Sequence, residues 1–175
     1  VKVLTTLNVR GSEKLCLYSS CLIFCETQLK ESSNNMPARK IRVAFADDYA
    51  RIRQLLREFL DKATRLEMVG EATNGDEIIK VCRRTTPDVV LLDLHMPGPL
   101  ATSIVRILHQ EVPQTKPLIL SEEDDDVYVR AMAQLPIGGY VLKADIADYL
   151  LEAIQVVASG GSWYSPLLRP VLGIL

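Results

Sequence analysis

The sequence has no excess of basic charge and no cysteine pairs at metal-binding spacing. Its 20 lysines and arginines against 22 aspartates and glutamates give a net charge of −2. We therefore expect no nucleic-acid binding through this chain, because such binding needs a basic face. Cys16, Cys21 and Cys25 crowd near the N-terminus without a CxxC pair or a nearby histidine, which argues against metal or disulfide roles. Cys82 falls on a helical apolar pattern and is predicted to be a small core residue.

Long hydrophobic runs are also missing. The apolar stretch at residues 15–25 is shorter than the roughly 20 residues that cross a bilayer. Ser19 and Ser20 interrupt it, and a clean cleavage site of small residues is absent, so no signal peptide is predicted. We expect no membrane partner and a cytoplasmic location. The sequence also contains no GxGxxG, Walker lysine loop or Ser-His-Asp arrangement.

Composition divides the chain into three parts. Residues 1–39 are predicted to be an N-terminal extension that is disordered or not native, and Met36 is a candidate translation start. Residues 40–160 are predicted to form one domain, which is an ordinary size for a single core. Residues 161–175 are apolar and are predicted to be a linker stub towards a missing effector domain, or a segment that packs against a partner.

Strand and helix patterns alternate five times from Ile41 onward. Strands are predicted at residues 41–46, 67–72, 88–93, 117–121 and 138–142, and helices around residues 52–60, 78–82, 104–108, 125–135 and 146–157. Successive strands joined by right-handed helical crossovers form a parallel sheet that is covered on both faces. The pattern therefore predicts an α/β three-layer sandwich around a five-stranded parallel sheet.

Four of the predicted strands end in polar residues that can carry chemistry. Strands one, three, four and five are followed or ended by Asp47-Asp48, Asp93, Ser121 and Lys143 respectively. Ligands bind beyond the carboxyl ends of parallel strands, so these groups are predicted to meet at one edge. Each alone has an ordinary structural alternative: a helix cap for Asp47-Asp48, a turn acid for Asp93, a strand-ending hydroxyl for Ser121 and a surface charge for Lys143.

The chemistry of this combination points to phosphoryl transfer. Crowded carboxylates at positions 47, 48 and 93 repel one another unless a cation intervenes, and hard oxygen ligands favour Mg²⁺. Lys143 and Ser121 can pair with and donate to a phosphoryl oxygen. Asp93 can then act as the nucleophile and form an acyl phosphate.

Several motifs resemble the receiver domain of two-component response regulators. They are Asp47-Asp48, LDLHMPG at 92–98, Leu120-Ser121 and GYVLK at 139–143, within a match that covers about residues 40–160. The segments VGEATNG at 69–75 and GGSWYSP at 160–166 look most like the subfamily that carries a LuxR-type helix-turn-helix output domain, which is absent here. The resemblance implies a flavodoxin-like (βα)5 fold with strand order 2-1-3-4-5.

The resemblance also implies roles for individual residues. Asp93 would be the phosphorylation site, and Asp48, Asp93 and the backbone carbonyl of His95 would bind Mg²⁺, with Asp47 acting through water. The partner would be a histidine kinase or phosphotransfer protein, with a homodimer as a further assembly. The chain would not be an enzyme beyond assisting its own phosphorylation and dephosphorylation at Asp93.

A switch is implied as well, in which Ser121 moves towards the phosphoryl group and the ring of Tyr140 turns inward. An aromatic residue in a strand also has the ordinary alternative of core packing. Five acids at 122–126 are expected to cap the fourth helix and favour its positive N-terminal dipole.

Three departures from the family pattern leave a second function open. Pro99-Leu100-Ala101 replaces the usual Met-Asp-Gly, Glu122 stands where a small residue is common, and Pro136-Ile137 replaces Gly-Ala. The alternative is a pseudo-receiver that acts as a phosphorylation-independent protein-protein interaction module. A phosphohydrolase ranks last, because position 95 carries no second acid.

Overall fold

Six parallel strands form one sheet in the computed structural model, which describes residues 39–174. The strands are β1 (Ile41–Ala46), β2 (Leu66–Ala72), β3 (Val89–Asp93), β4 (Lys116–Ser121), β5 (Gly139–Leu142) and β6 (Trp163–Tyr164). The helices are α1 (Ala50–Lys62), α2 (Gly75–Thr85), α3 (Ala101–Glu111), α4 (Asp126–Ala133), α5 (Ile146–Ala158) and α6 (Arg169–Leu172). None of these described helices is both long and apolar enough to cross a bilayer. Met36 and all but the last residue of the predicted extension at 1–39 lie outside the described residues.

The strand order in the sheet is β2-β1-β3-β4-β5-β6. The predicted flavodoxin-like fold and the order 2-1-3-4-5 are confirmed, but the predicted count of five strands is one too few. The sixth strand has only two residues, which pair in parallel with Gly139 and Tyr140 of β5. Two residues are too short for the alternation of buried and exposed side chains that reveals a strand in a sequence.

The central strand β3 is buried on both faces, which explains its unbroken apolar run. Val90 and Leu92 point into one apolar layer, which α2, α3 and α4 cover. Val89 and Leu91 point into the opposite layer, which α1 and α5 cover. In a three-layer sandwich, helices cover both faces of the sheet, so successive side chains of a strand alternate between two apolar cores.

Side chains fix the starts of two helices. Asn74 caps α2 by accepting a hydrogen bond from the Glu77 backbone N–H at 2.9 Å. Asp125 caps α4 by accepting from the N–H groups of Val127 and Tyr128 at 3.0 and 3.2 Å. The expectation that the acidic run caps the fourth helix is confirmed for Asp125.

Cys82 lies fully buried on α2, and burial raises the pKa of its thiol to about 12. Its predicted place in the core is confirmed. Cys16, Cys21 and Cys25 lie outside the described residues.

The segment after α5 packs onto the sheet. Residues 161–175 were expected to be a linker, yet Trp163, Ser165 and Leu168 are buried, and α6 packs against α4. The folded domain therefore continues past residue 160. Trp163 and Leu168 of this segment belong to the domain's own core, which a pattern of scattered leucines does not reveal.

Replacing a side chain of β3 tests this two-sided core. Leu91→Ala is expected to lower the free energy of unfolding by about 2–5 kcal/mol, because the fully buried leucine leaves a cavity. Leu100→Ala is the matched control, since Leu100 is 73% exposed and should change stability by less than about 0.5 kcal/mol. Urea unfolding measures both, and equal losses would contradict the described core.

Candidate functional site

The end of β1 delivers two aspartates with different surroundings. Asp47 is fully buried, and its Oδ1 accepts a hydrogen bond from the Tyr49 backbone N–H at 2.8 Å. Asp48 is exposed. Among the described residues, no side chain caps α1 at its N-cap Tyr49, so the structural alternative of a helix cap does not account for the pair. Arg53 instead secures the turn by donating to the carbonyl oxygens of Asp47 and Asp48 at 3.1 and 2.9 Å.

Asp93 ends β3 beside this turn. β1 and β3 are neighbours with Ala46 opposite Leu92, so the next residue of each strand, Asp47 and Asp93, reaches the same edge. Asp47, Asp48 and Asp93 each place a carboxylate oxygen within 4.8 Å of the others. The predicted meeting of these three acids is observed.

Lys143 supplies the positive charge of the cluster. Its Nζ lies 2.7 Å from Asp47 Oδ2 and 3.2 Å from Asp93 Oδ1, and its side chain is only 12% exposed. Burial alone would lower the pKa of Lys143, but the hydrogen bond to Asp47 and the charge of Asp93 outweigh it and raise the pKa. The lysine is therefore charged at neutral pH and is not a surface residue.

The pKa of Asp93 is raised. Burial is the main cause, Lys143 opposes it, and the charge of Asp47 adds to it. Because Lys143 divides its charge between two carboxylates, it does not cancel the cost of burying Asp93. The cluster holds three acids and one ammonium, so two negative charges remain when all are ionised. Hard oxygen donors with this excess charge fit a divalent cation that keeps some of its water.

The side chains of Ser121 and Tyr140 meet at one loop residue. The buried Ser121 Oγ accepts a hydrogen bond from the Glu123 N–H at 3.0 Å, and the Tyr140 hydroxyl donates to the Glu123 carbonyl at 2.7 Å. Tyr140 is fully buried, and burial raises the pKa of its hydroxyl to about 12. The ring is thus directed inward and fills the core as well as holding the loop.

In the part of the chain that the structure describes, the carboxylate cluster consists of Asp47, Asp48 and Asp93, so Glu122 is not part of it. Glu122 is exposed. The loop after Pro97 is fixed to the start of α2, where the Gly75 N–H donates to the Pro97 carbonyl at 3.0 Å. His95 is exposed as a side chain, and its ring centroid lies 6.4 Å from that of Tyr128.

Two contributors were missed in the sequence. Arg53 contacts backbone oxygens, and the spacing of motif residues does not reveal contacts of that kind. The only sign of its role in the sequence is weak: it is a cationic residue next to the apolar Ile52 on α1. Ser165 is fully buried, and its hydroxyl accepts from the Leu142 N–H at 2.9 Å. No pattern in the sequence distinguishes this serine from a loop residue.

Comparisons with known proteins agree with this geometry. The response regulator receiver domain model matches residues 43–155. The transcriptional regulatory protein DegU of Brevibacillus brevis is 34% identical over 127 residues, which cover 73% of this chain and 54% of that protein. The chain thus spans about half the length of this curated relative.

Two solved structures share the fold. A LuxR-family two-component response regulator from Aurantimonas sp. is 25% identical with a TM-score of 0.72, covering 77% of this chain and 96% of that one. The isolated receiver domain of RcsB from Salmonella enterica, solved with the phosphomimetic BeF3⁻, is 20% identical with a TM-score of 0.71. It covers 76% of this chain and 99% of its own. Because the family match extends from β1 into α5, the chain belongs to the response regulator receiver family, with LuxR-type regulators among its relatives.

Proposed function

We propose that Asp93 accepts a phosphoryl group from the phosphohistidine of a histidine kinase or phosphotransfer protein. The observation that carries this proposal is the position of Lys143 Nζ, which contacts Asp47 and Asp93 inside a buried carboxylate cluster. A surface turn acid would have neither the burial nor the shared ammonium. The arrangement suits a carboxylate nucleophile whose product adds negative charge.

In the proposed reaction, a carboxylate oxygen of Asp93 attacks phosphorus while the bond from phosphorus to the donor imidazole nitrogen breaks. The imidazole takes the bonding electron pair, and Asp93 becomes an acyl phosphate. Lys143 offsets the added charge. The Ser121 hydroxyl can donate to a phosphoryl oxygen while its own oxygen continues to accept from the Glu123 N–H.

Mg²⁺ is the proposed cofactor, and it would supply charge neutralisation for the phosphoryl oxygens. Asp48, Asp93 and the backbone carbonyl of His95 would hold it, and Asp47 would act through water. Water attack on the acyl phosphate would break the new phosphorus–oxygen bond and return the carboxylate and inorganic phosphate. The chain would assist only these steps at its own Asp93 and would not turn over another substrate.

Ser121 and Tyr140 are the proposed switch. Both hold Glu123, which lies just before α4, so a shift of either hydroxyl would move the start of that helix. The altered surface would signal to a partner, to a second copy of the chain, or to an output domain. We propose that the whole protein is a cytoplasmic transcription regulator in a two-component phosphorelay, since a curated relative is a transcriptional regulatory protein.

Phosphorylation of the purified protein tests the nucleophile. With Mg²⁺ and a small acyl-phosphate donor, the intact mass should rise by one phosphoryl group. Asp93→Asn should abolish the increase, because an amide oxygen is a poor nucleophile and leaves no acyl phosphate. Asp61→Asn, on the exposed face of α1, is the matched control and should be phosphorylated normally.

An unchanged wild-type mass would contradict the proposal and favour the pseudo-receiver, a phosphorylation-independent interaction module. If the Asp93→Asn variant is still phosphorylated, the phosphorylated residue is not Asp93.

Removal of one exposed carboxylate tests the metal site. Asp48→Asn should weaken Mg²⁺ binding by at least about tenfold, as measured by calorimetric titration, because a charged ligand is lost. Asp124→Asn changes an exposed acid in the nearby acidic run and serves as the control. Equal Mg²⁺ affinity in wild type and Asp48→Asn would exclude Asp48 as a ligand.

A further inference from the structure

The segment 163–168, which we call the C-terminal clasp, lies along the edge of β5. Trp163 is 4% exposed, and Ser165 and Leu168 are fully buried. Leu168 joins the same apolar layer as Tyr140, Val129 and Met132. The clasp therefore touches both the strand and the helix layer that carry the proposed switch.

Ser165 fastens the clasp to the end of β5 by two hydrogen bonds. Its backbone N–H donates to the Tyr140 carbonyl at 2.9 Å. Its hydroxyl accepts from the Leu142 N–H, also at 2.9 Å. The Leu142 N–H belongs to the Val141–Leu142 peptide, so a buried side chain from the C-terminal segment fixes the backbone one residue before Lys143.

Gly139 makes room for this contact. A Cβ added at this position would collide with the carbonyl oxygen of Trp163, and that oxygen belongs to backbone that cannot swing aside. Only glycine lets the two backbones approach as they do in the pairing of β5 with β6. The sequence of β5 is thus suited to hold the clasp.

We propose that the clasp positions Lys143 through Ser165, so that clasp docking and occupancy of the Asp93 site stabilise each other. Ser165 is a positioning residue, because it acts on Lys143 through the Leu142 peptide and does not reach the carboxylates. Reciprocity follows from linkage: if docking favours the phosphoryl-binding arrangement, occupancy of the site favours docking by the same factor. The inference rests on the proposed function and extends it to the C-terminal segment.

Trp163 is the single tryptophan of the chain and reports on the clasp directly. Beryllofluoride with Mg²⁺ serves as the probe, because it is the phosphomimetic used with the RcsB receiver domain. In the wild-type protein, saturating probe should reduce acrylamide quenching of Trp163. It should also slow amide hydrogen exchange of residues 163–168 by about fivefold, which is the lower end of the coupling usually found between two sites.

Variants separate positioning from general stability. Ser165→Ala should weaken beryllofluoride binding by about fivefold and remove most of the ligand-dependent protection of Trp163. Ser162→Ala, at the exposed position just before the clasp, should leave both unchanged. Gly139→Ala should displace the clasp and weaken probe binding further, and circular dichroism identifies any variant that has lost its fold.

The outcomes distinguish this inference from the function on which it rests. Probe binding is measured independently by hydrogen exchange in residues 121–125. If the wild-type protein does not bind the probe there, both the proposed function and the clasp coupling are overturned. If the probe binds while the protection of residues 163–168 from exchange stays the same or falls, only the clasp coupling is overturned. The same holds if the Ser165→Ala variant binds the probe as tightly as the wild-type protein does.

Discussion

Three carboxylates share one edge of the sheet, and the ammonium group of Lys143 holds two of them at contact distance. Like charges with little access to water are unstable unless a cation is placed among them. Because β1 and β3 are neighbours, Asp47 and Asp93 lie close enough for one ammonium group to contact both. Lys143 directly follows β5, which lies about 10 Å from β3 at ordinary strand spacing, so only a long side chain reaches Asp93 from there.

The same edge is connected to the helix layer through one residue. The Glu123 N–H donates a hydrogen bond to the Ser121 hydroxyl oxygen, and the Glu123 carbonyl accepts one from the Tyr140 hydroxyl. One short loop is therefore held by residues of both β4 and β5. The Tyr140 hydroxyl is protonated at neutral pH and able to donate, since the pKa of a tyrosine is ordinarily about 10 and burial raises it further. In the proposed switch, a change of charge at Asp93 would reach α4 without a long chain of contacts, because Ser121 directly follows Leu120, the β4 residue opposite Asp93, and also holds Glu123.

The sequence predicted the parts of the fold that long patterns encode. Five apolar runs and five amphipathic helix patterns were sufficient to predict the three layers. The positions of Asp47, Asp93 and Lys143 at strand ends were sufficient to predict that these residues lie close together. The C-terminal strand was missed because two residues carry no periodicity. Arg53 and Ser165 were missed for another reason: their partners are backbone groups, and a hydrogen bond to a backbone leaves no complementary residue in the sequence to find.

The segment after α5 covers an edge of the sheet that would otherwise be exposed. In a five-stranded sheet, β5 would present unpaired backbone groups to the surroundings, and such edges invite association with other chains. β6 pairs with Gly139 and Tyr140. Beyond the end of β6, the Ser165 hydroxyl accepts the hydrogen bond from the Leu142 N–H. A side chain thus completes the hydrogen bonding that β6 is too short to provide. β5, which leads into Lys143, is thereby held from both sides, by β4 and by the clasp, up to its last residue, Leu142.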